Sequence, residues 1–260
     1  MAGRLRAVLL DMDGTLFDSE KLWTVSLGEL ATRLGGRLSA ATRAAMVGTN
    51  VAETVVMLHD DLGVRADVAE SGEWLLSRTK ELYAGDLPWL PGARELVAAV
   101  RAAGLPTALV TSTPRDLVEV ALRTIGAENV DAVVAGDEVR HNKPHPESYL
   151  RAAGLLGLRP ADCLAVEDSP AGIASAEAAG CAVLAVPHHV PVPPGPRRLV
   201  RPSLAGLTVA GLTAVHTTLA ASGGSAAGDR DADGAGAGVR GHRHPGLDDI
   251  AGPGAWDAAP

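Results

Sequence analysis

The sequence predicts an α/β protein: a parallel sheet layered between helices, with a helical segment inserted near its start. Three observations carry this reading. Short apolar runs at residues 7–10, 107–111, 132–134, 163–166 and 182–186 have the composition of strands buried on both faces. Helix-period stretches at 93–103, 115–125, 146–156 and 171–179 alternate with the later strands, as crossover helices of a parallel sheet must. Residues 17–87 break the alternation, offering helical stretches near 20–34, 40–46, 52–62 and 68–83 and no strand.

Each element has a stop. Gly104, Gly126, Gly157 and Gly180 follow the four crossover helices, where a left-handed residue ends a helix. Pro88 and Pro91-Gly92 mark the return from the insertion to the sheet. Residues 187–196 are rich in Pro and Val and read as extended, before a last helix near 209–219. Residues 221–260 hold few large apolar side chains and are expected to be a disordered Gly/Ala-rich tail. The expected organisation is a core of 1–16 and 88–220, an insertion of 17–87, and the tail.

Composition narrows the function. With 260 residues, 47% hydrophobic and 21% charged, the chain is an ordinary globular protein. Its net charge of −8, and no basic patch longer than Arg197-Arg198 with Arg201, argue against nucleic acid or an anionic membrane as partner. Cys163 and Cys181 sit in apolar contexts without metal-ligand spacing and read as reduced core thiols. The first apolar run stops at Asp11, too short for a signal-peptide core or a spanning helix, so a cytoplasmic protein is expected, monomeric or weakly dimeric.

In an open parallel sheet, ligands bind at the carboxyl ends of the strands. The polar residues there are Asp11 and Asp13 after the first strand, Thr111 and Ser112 after the second, Lys143 after the third, and Glu167 and Asp168 after the fourth. Four converging carboxylates would resist ionising unless a hard cation neutralised them, and Mg²⁺, which takes carboxylate and phosphate oxygens, suits the set. Lys143 and the Thr111 hydroxyl would then face a tetrahedral anion.

These residues resemble the motifs of the haloacid dehalogenase-like superfamily. The run Asp11-Met-Asp-Gly-Thr-Leu-Phe-Asp18 is similar to its motif I, Thr111-Ser112 to motif II, Lys143-Pro144 to motif III, and Glu167-Asp168-Ser-Pro-Ala-Gly172 to motif IV, in the same order and spacing over residues 7 to about 186. The resemblance implies a Rossmann-like three-layer core with a helical cap of the first type at 17–87, as in phosphoglycolate phosphatase and β-phosphoglucomutase. It also implies roles. Asp11 is the nucleophile that forms an aspartyl-phosphate, and Asp13 the general acid and base. Mg²⁺ is held by Asp11, the Asp13 backbone carbonyl and Asp168; Thr111, Ser112 and Lys143 hold phosphoryl oxygens. Glu167 orients Lys143 or a metal-bound water.

A Mg²⁺-dependent phosphatase of a small phosphomonoester, a sugar phosphate or phosphoglycolate, is therefore expected. The alternatives are a phosphomutase and a non-catalytic phosphorylatable module. Trp23 and Val51 stand where a β-phosphoglucomutase carries a hinge His and a cap Arg, which leaves nothing evident to grip a second phosphate. Asp18 is an N-cap candidate for the first inserted helix; Trp23, Trp74 and Trp89 are expected to pack; His141 and His145 flank Lys143 without an assigned role, and His188-His189 lies outside every motif.

Overall fold

A computed structural model of the chain describes residues 4–46, 49–85, 87–187 and 190–225. Six parallel strands form one sheet in the order β3-β2-β1-β4-β5-β6: β1 Ala7–Leu10, β2 Thr107–Val110, β3 Ala132–Val134, β4 Cys163–Glu167, β5 Ala182–Ala185 and β6 Arg198–Val200. Because side chains alternate along a strand, each central strand feeds two cores. Val8, Leu10, Leu109, Leu164 and Leu184 point into one, with α5 (Ala93–Ala102), α6 (Arg115–Ile125) and α9 (Val209–Ser225) packed over it. Ala7, Leu9, Val110, Ala165 and Val183 point into the other, against Tyr149 of α7 (Glu147–Leu155) and Ile173 of α8 (Pro170–Ala179). These are the three layers that the continuous apolar runs imply.

The strand order reverses beside β1, since the chain first builds outward through β2 and β3 and then returns to β4 on the other side. Residues following β1 and β4 therefore flank a crevice, and Asp11 and Asp168 stand there.

Four helices of the insertion lie between β1 and α5: α1 Glu20–Arg33, α2 Ala40–Ala45, α3 Val51–Leu62 and α4 Val68–Gly85. They bury a small core of their own, built from Leu27, Leu30, Val55, Leu58 and Leu75. Asn50 starts α3 with a capping box closed by Glu53. Asp61 of that helix accepts from the Ser39 amide and hydroxyl and from Thr42, which moors short α2. The two connectors to the sheet run side by side, with Asp18 N donating to Pro88 O (2.9 Å) and Leu90 N to Leu16 O (2.8 Å).

Three expectations need correction. Strand β6 was not anticipated; it is three half-buried residues at the sheet edge, too short for a hydrophobic pattern, and is fastened by the Arg198–Glu177 ion pair. Arg197 donates to the Gly180 and Cys181 carbonyls, so the short basic run serves the fold. Residues 221–225, assigned to the tail, continue helix α9 even though Gly223 and Gly224 are poor helix formers; 226–260 lie outside the described residues, as does His188-His189. Asp18 does not cap α1: Ser19 is the N-cap residue, its hydroxyl turns to Asp13, and Asp18 pairs with Lys21. No helix among the described residues is long and apolar enough to cross a membrane.

Candidate active site

The loop after β1 turns sharply at Gly14, whose φ is +83°. A Cβ there would lie 2.3 Å from an Asp168 oxygen, so glycine is required both by conformation and by the approach of that carboxylate. Asp11, Asp13, Thr111, Ser112, Lys143 and Asp168 all line one cavity of about 480 Å³. The sequence placed these six at separate strand ends; the fold brings them together. Glu167 does not reach the cavity. It is fully buried behind Lys143.

Lys143 is the hub. Its Nζ donates to Asp11 Oδ1 at 2.7 Å, to Glu167 Oε1 at 2.6 Å and to the Val110 carbonyl at 3.0 Å. Burial alone would lower its pKa, but the charges of Asp11 and Glu167 outweigh that and keep the ammonium protonated. Glu167 also accepts from the Tyr149 hydroxyl (2.7 Å) and the Ser169 hydroxyl (3.2 Å), and the Tyr149 ring lies 5.3 Å from Nζ. A Cβ on Gly172 would collide with Glu167 at 1.9 Å, so the helix start is shaped around this carboxylate.

Asp11 and Asp168 are under electrostatic tension. Burial, then the charge of Glu167, pushes Asp11 up to about 7 against the pull of Lys143. Asp168 rises well above the usual carboxylate range through burial and the charges of Asp11 and Glu167. Asp11 Oδ2 is buried with no protein partner, and acceptor oxygens of Asp11, Glu167 and Asp168 lie within 4.8 Å of one another. An orphaned oxygen beside a second strained carboxylate is the donor set a hard divalent cation would relieve.

Asp13 is held quite differently. Its Oδ1 accepts from Ser19 (2.6 Å) and Tyr83 (2.5 Å), and its Oδ2 from Thr113 (2.7 Å) and Thr111 (3.3 Å). Tyr83 in turn accepts from Trp23 Nε1 at 3.0 Å, and burial keeps its phenol protonated. Sequence reasoning missed Tyr83, Thr113 and Tyr149. One signal was available: the chain has only two tyrosines, and both touch a site carboxylate.

Of the tryptophans, Trp23 both lines the cavity and bonds Tyr83, while Trp89 packs on Phe17 and Trp74 against the core of the inserted helices. Opposite the strand ends the cavity is lined by Trp23, Leu27, Arg43 and Val51 from the insertion. Arg43 was not singled out from sequence, and it revises the view that nothing there could grip a second anion. His141 and His145 are exposed and lie off the cavity.

Residues 5–180 match the family described as haloacid dehalogenase-like hydrolase. The chain belongs to that family. Among its relatives in the haloacid dehalogenase-like family, protein CbbY of Rhodobacter capsulatus is 34% identical over 194 residues, 70% of this chain and 86% of that protein. Hexitol phosphatase A of Escherichia coli strain K12 is 31% identical over 188 residues, 70% of this chain and 83% of that one. The crystal structure of CbbY from Rhodobacter sphaeroides in complex with phosphate is 27% identical with a TM-score of 0.72, covering 80% of this chain and 99% of that one.

Proposed function

We propose that this chain is a Mg²⁺-dependent phosphatase of small phosphorylated sugars, polyols or phosphoglycolate-like acids, working through Asp11. The observation that carries the reading is the unequal treatment of two neighbouring carboxylates. Asp11 faces the cavity with an orphaned oxygen and a lysine at its other oxygen, whereas Asp13 is wrapped in hydroxyl donors. One is set up as nucleophile and the other as proton carrier.

In the proposed cycle an Asp11 oxygen attacks phosphorus and the ester oxygen leaves, taking a proton from Asp13. Water then attacks the aspartyl-phosphate, giving its proton back to Asp13 and releasing phosphate. Lys143 and the hydroxyls of Thr111 and Ser112 supply donors to phosphoryl oxygens as charge shifts in the transition state. Glu167 and Tyr149 fix Lys143 in place. Asp11, the Asp13 backbone carbonyl and Asp168 would hold Mg²⁺, which screens the repulsion between carboxylate and phosphate. The inserted helices act as a cap that excludes water and selects substrate.

The names of the relatives support the substrate class: besides hexitol phosphatase A, a phosphorylated carbohydrates phosphatase of Thermotoga maritima is 29% identical over 177 residues. Arg43 on the cavity wall favours substrates with a second anionic or strongly polar end. Hydrolysis is favoured over phosphomutase chemistry because Trp23 offers no proton-carrying group and its indole N–H is already spent on Tyr83. A phosphate-release screen over a metabolite panel tests the class. Phosphorus NMR of β-glucose 1-phosphate, primed with the bisphosphate, tests the chemistry: glucose 6-phosphate forming faster than free phosphate would overturn the phosphatase reading.

A further inference from the structure

The loop that carries Lys143 has a second face. Lys143 turns inward to Asp11, while His141, His145 and Glu147 gather on the outside, away from the cavity. We propose that these three residues form an accessory site for a borderline transition metal, Zn²⁺ in particular, separate from the phosphate chemistry and independent of its assignment.

The spacing suits such an ion. His141 Nδ1 lies 3.0 Å and His145 Nδ1 4.0 Å from the same oxygen, Glu147 Oε2, and the two imidazole centroids are 4.6 Å apart. A tetrahedral Zn²⁺ with bonds of roughly 2.0–2.2 Å separates neighbouring donors by about 3.4 Å, between the two distances observed. Small torsional adjustments close the difference: the side chains are 62% and 50% exposed, and the one bond to be given up is the long 3.3 Å contact from the Glu147 amide to His145 Nδ1.

The carboxylate is already oriented. Glu147 Oε1 accepts from the Arg140 amide (2.9 Å) and Oε2 from the His141 amide (3.1 Å), bonds that hold its carboxyl below the ordinary range and ionised. Behind the loop, the buried Ser175 hydroxyl donates to the His145 carbonyl at 2.6 Å, which anchors the backbone between the two ligands. The donor set is two imidazoles and one carboxylate. It favours Zn²⁺, Ni²⁺ or Co²⁺ over the oxygen-seeking Mg²⁺, and exposure leaves the remaining positions to water. Bound metal would clamp the chain on both sides of Lys143.

The test is a Zn²⁺ titration of the full-length protein by calorimetry with Mg²⁺ in excess, in parallel with visible spectra on Co²⁺ addition. The chain has six other histidines, at 59, 188, 189, 216, 242 and 244, so the readout is the difference from the His141→Ala/His145→Ala variant. One equivalent of Zn²⁺ bound at micromolar concentration, with the strong visible bands of histidine-ligated Co²⁺, should be present in the wild type and absent in the double variant. Glu147→Gln should weaken binding about tenfold. Identical stoichiometry and spectra in wild type and double variant would overturn the site, as would wild-type binding no tighter than about 1 mM.

Discussion

Tyr83, from the last inserted helix, donates its phenolic hydrogen to Asp13 in the loop after the first strand. The bond ties a residue of the insertion to the proposed proton carrier. A carboxylate that accepts four hydroxyl donors must exchange some of them before it can face a leaving group, so the position of α4 bears on when Asp13 can act.

Tyr83→Phe keeps the ring and removes the donor. Turnover of alkyl phosphates, whose leaving oxygen needs a proton, should fall about tenfold or more, while p-nitrophenyl phosphate, with its better leaving group, should lose much less. Equal losses on both substrates would assign Tyr83 to packing alone.

Asp168→Asn should raise the Mg²⁺ concentration needed for half-maximal activity by about tenfold or more, because a neutral amide is a poorer ligand for a hard cation. Wild-type activity should vanish in excess EDTA and return with Mg²⁺. Undiminished activity in EDTA would exclude the metal role.

The raised pKa of Asp11 has a consequence for stability. Its folded value of about 7 exceeds the ordinary 3.8, so the stability it contributes is fully present below about pH 4 and is lost as pH rises through 7. Metal-free Asp11→Asn should therefore melt higher than the metal-free wild type at pH 8, with the gap narrowing towards pH 5. Lys143 retains Glu167 and the Val110 carbonyl in that variant. A lower melting temperature for the variant at pH 8 would contradict the assignment of burial as the dominant influence on Asp11.

Arg43→Ala should raise KM about tenfold for substrates with a second anionic group and leave KM for singly charged ones nearly unchanged. Steady-state kinetics on a matched pair, such as a sugar bisphosphate and its monophosphate, reads the difference directly.

The polar residues at strand ends were legible because a parallel sheet sends them all to one edge: once 7–10 and 163–166 read as strands, Asp11 and Asp168 fell at that same edge, and the strand order then made them neighbours. The helix ends were legible for a similar local reason, since Gly104, Gly126, Gly157 and Gly180 all follow crossover helices and all have positive φ. Tyr83, Tyr149 and Arg43 were not. Each sits within a helix, and which carboxylate or cavity it meets depends on how that helix docks, which periodicity does not encode. The N-cap candidate Asp18 lay one residue too early, because α1 begins at Glu20 and Ser19 takes the N-cap position. Strand β6 escaped because three edge residues carry no period.

The central claim is that Asp11 becomes phosphorylated. Rapid acid quench of the wild type during turnover, followed by peptide mass spectrometry, should place one phosphoryl group on Asp11, and Asp11→Asn should lose about four powers of ten in turnover with no phosphorylated peptide. An Asp11→Asn enzyme within about tenfold of wild type, or a phosphoryl group found on another residue, would contradict the account.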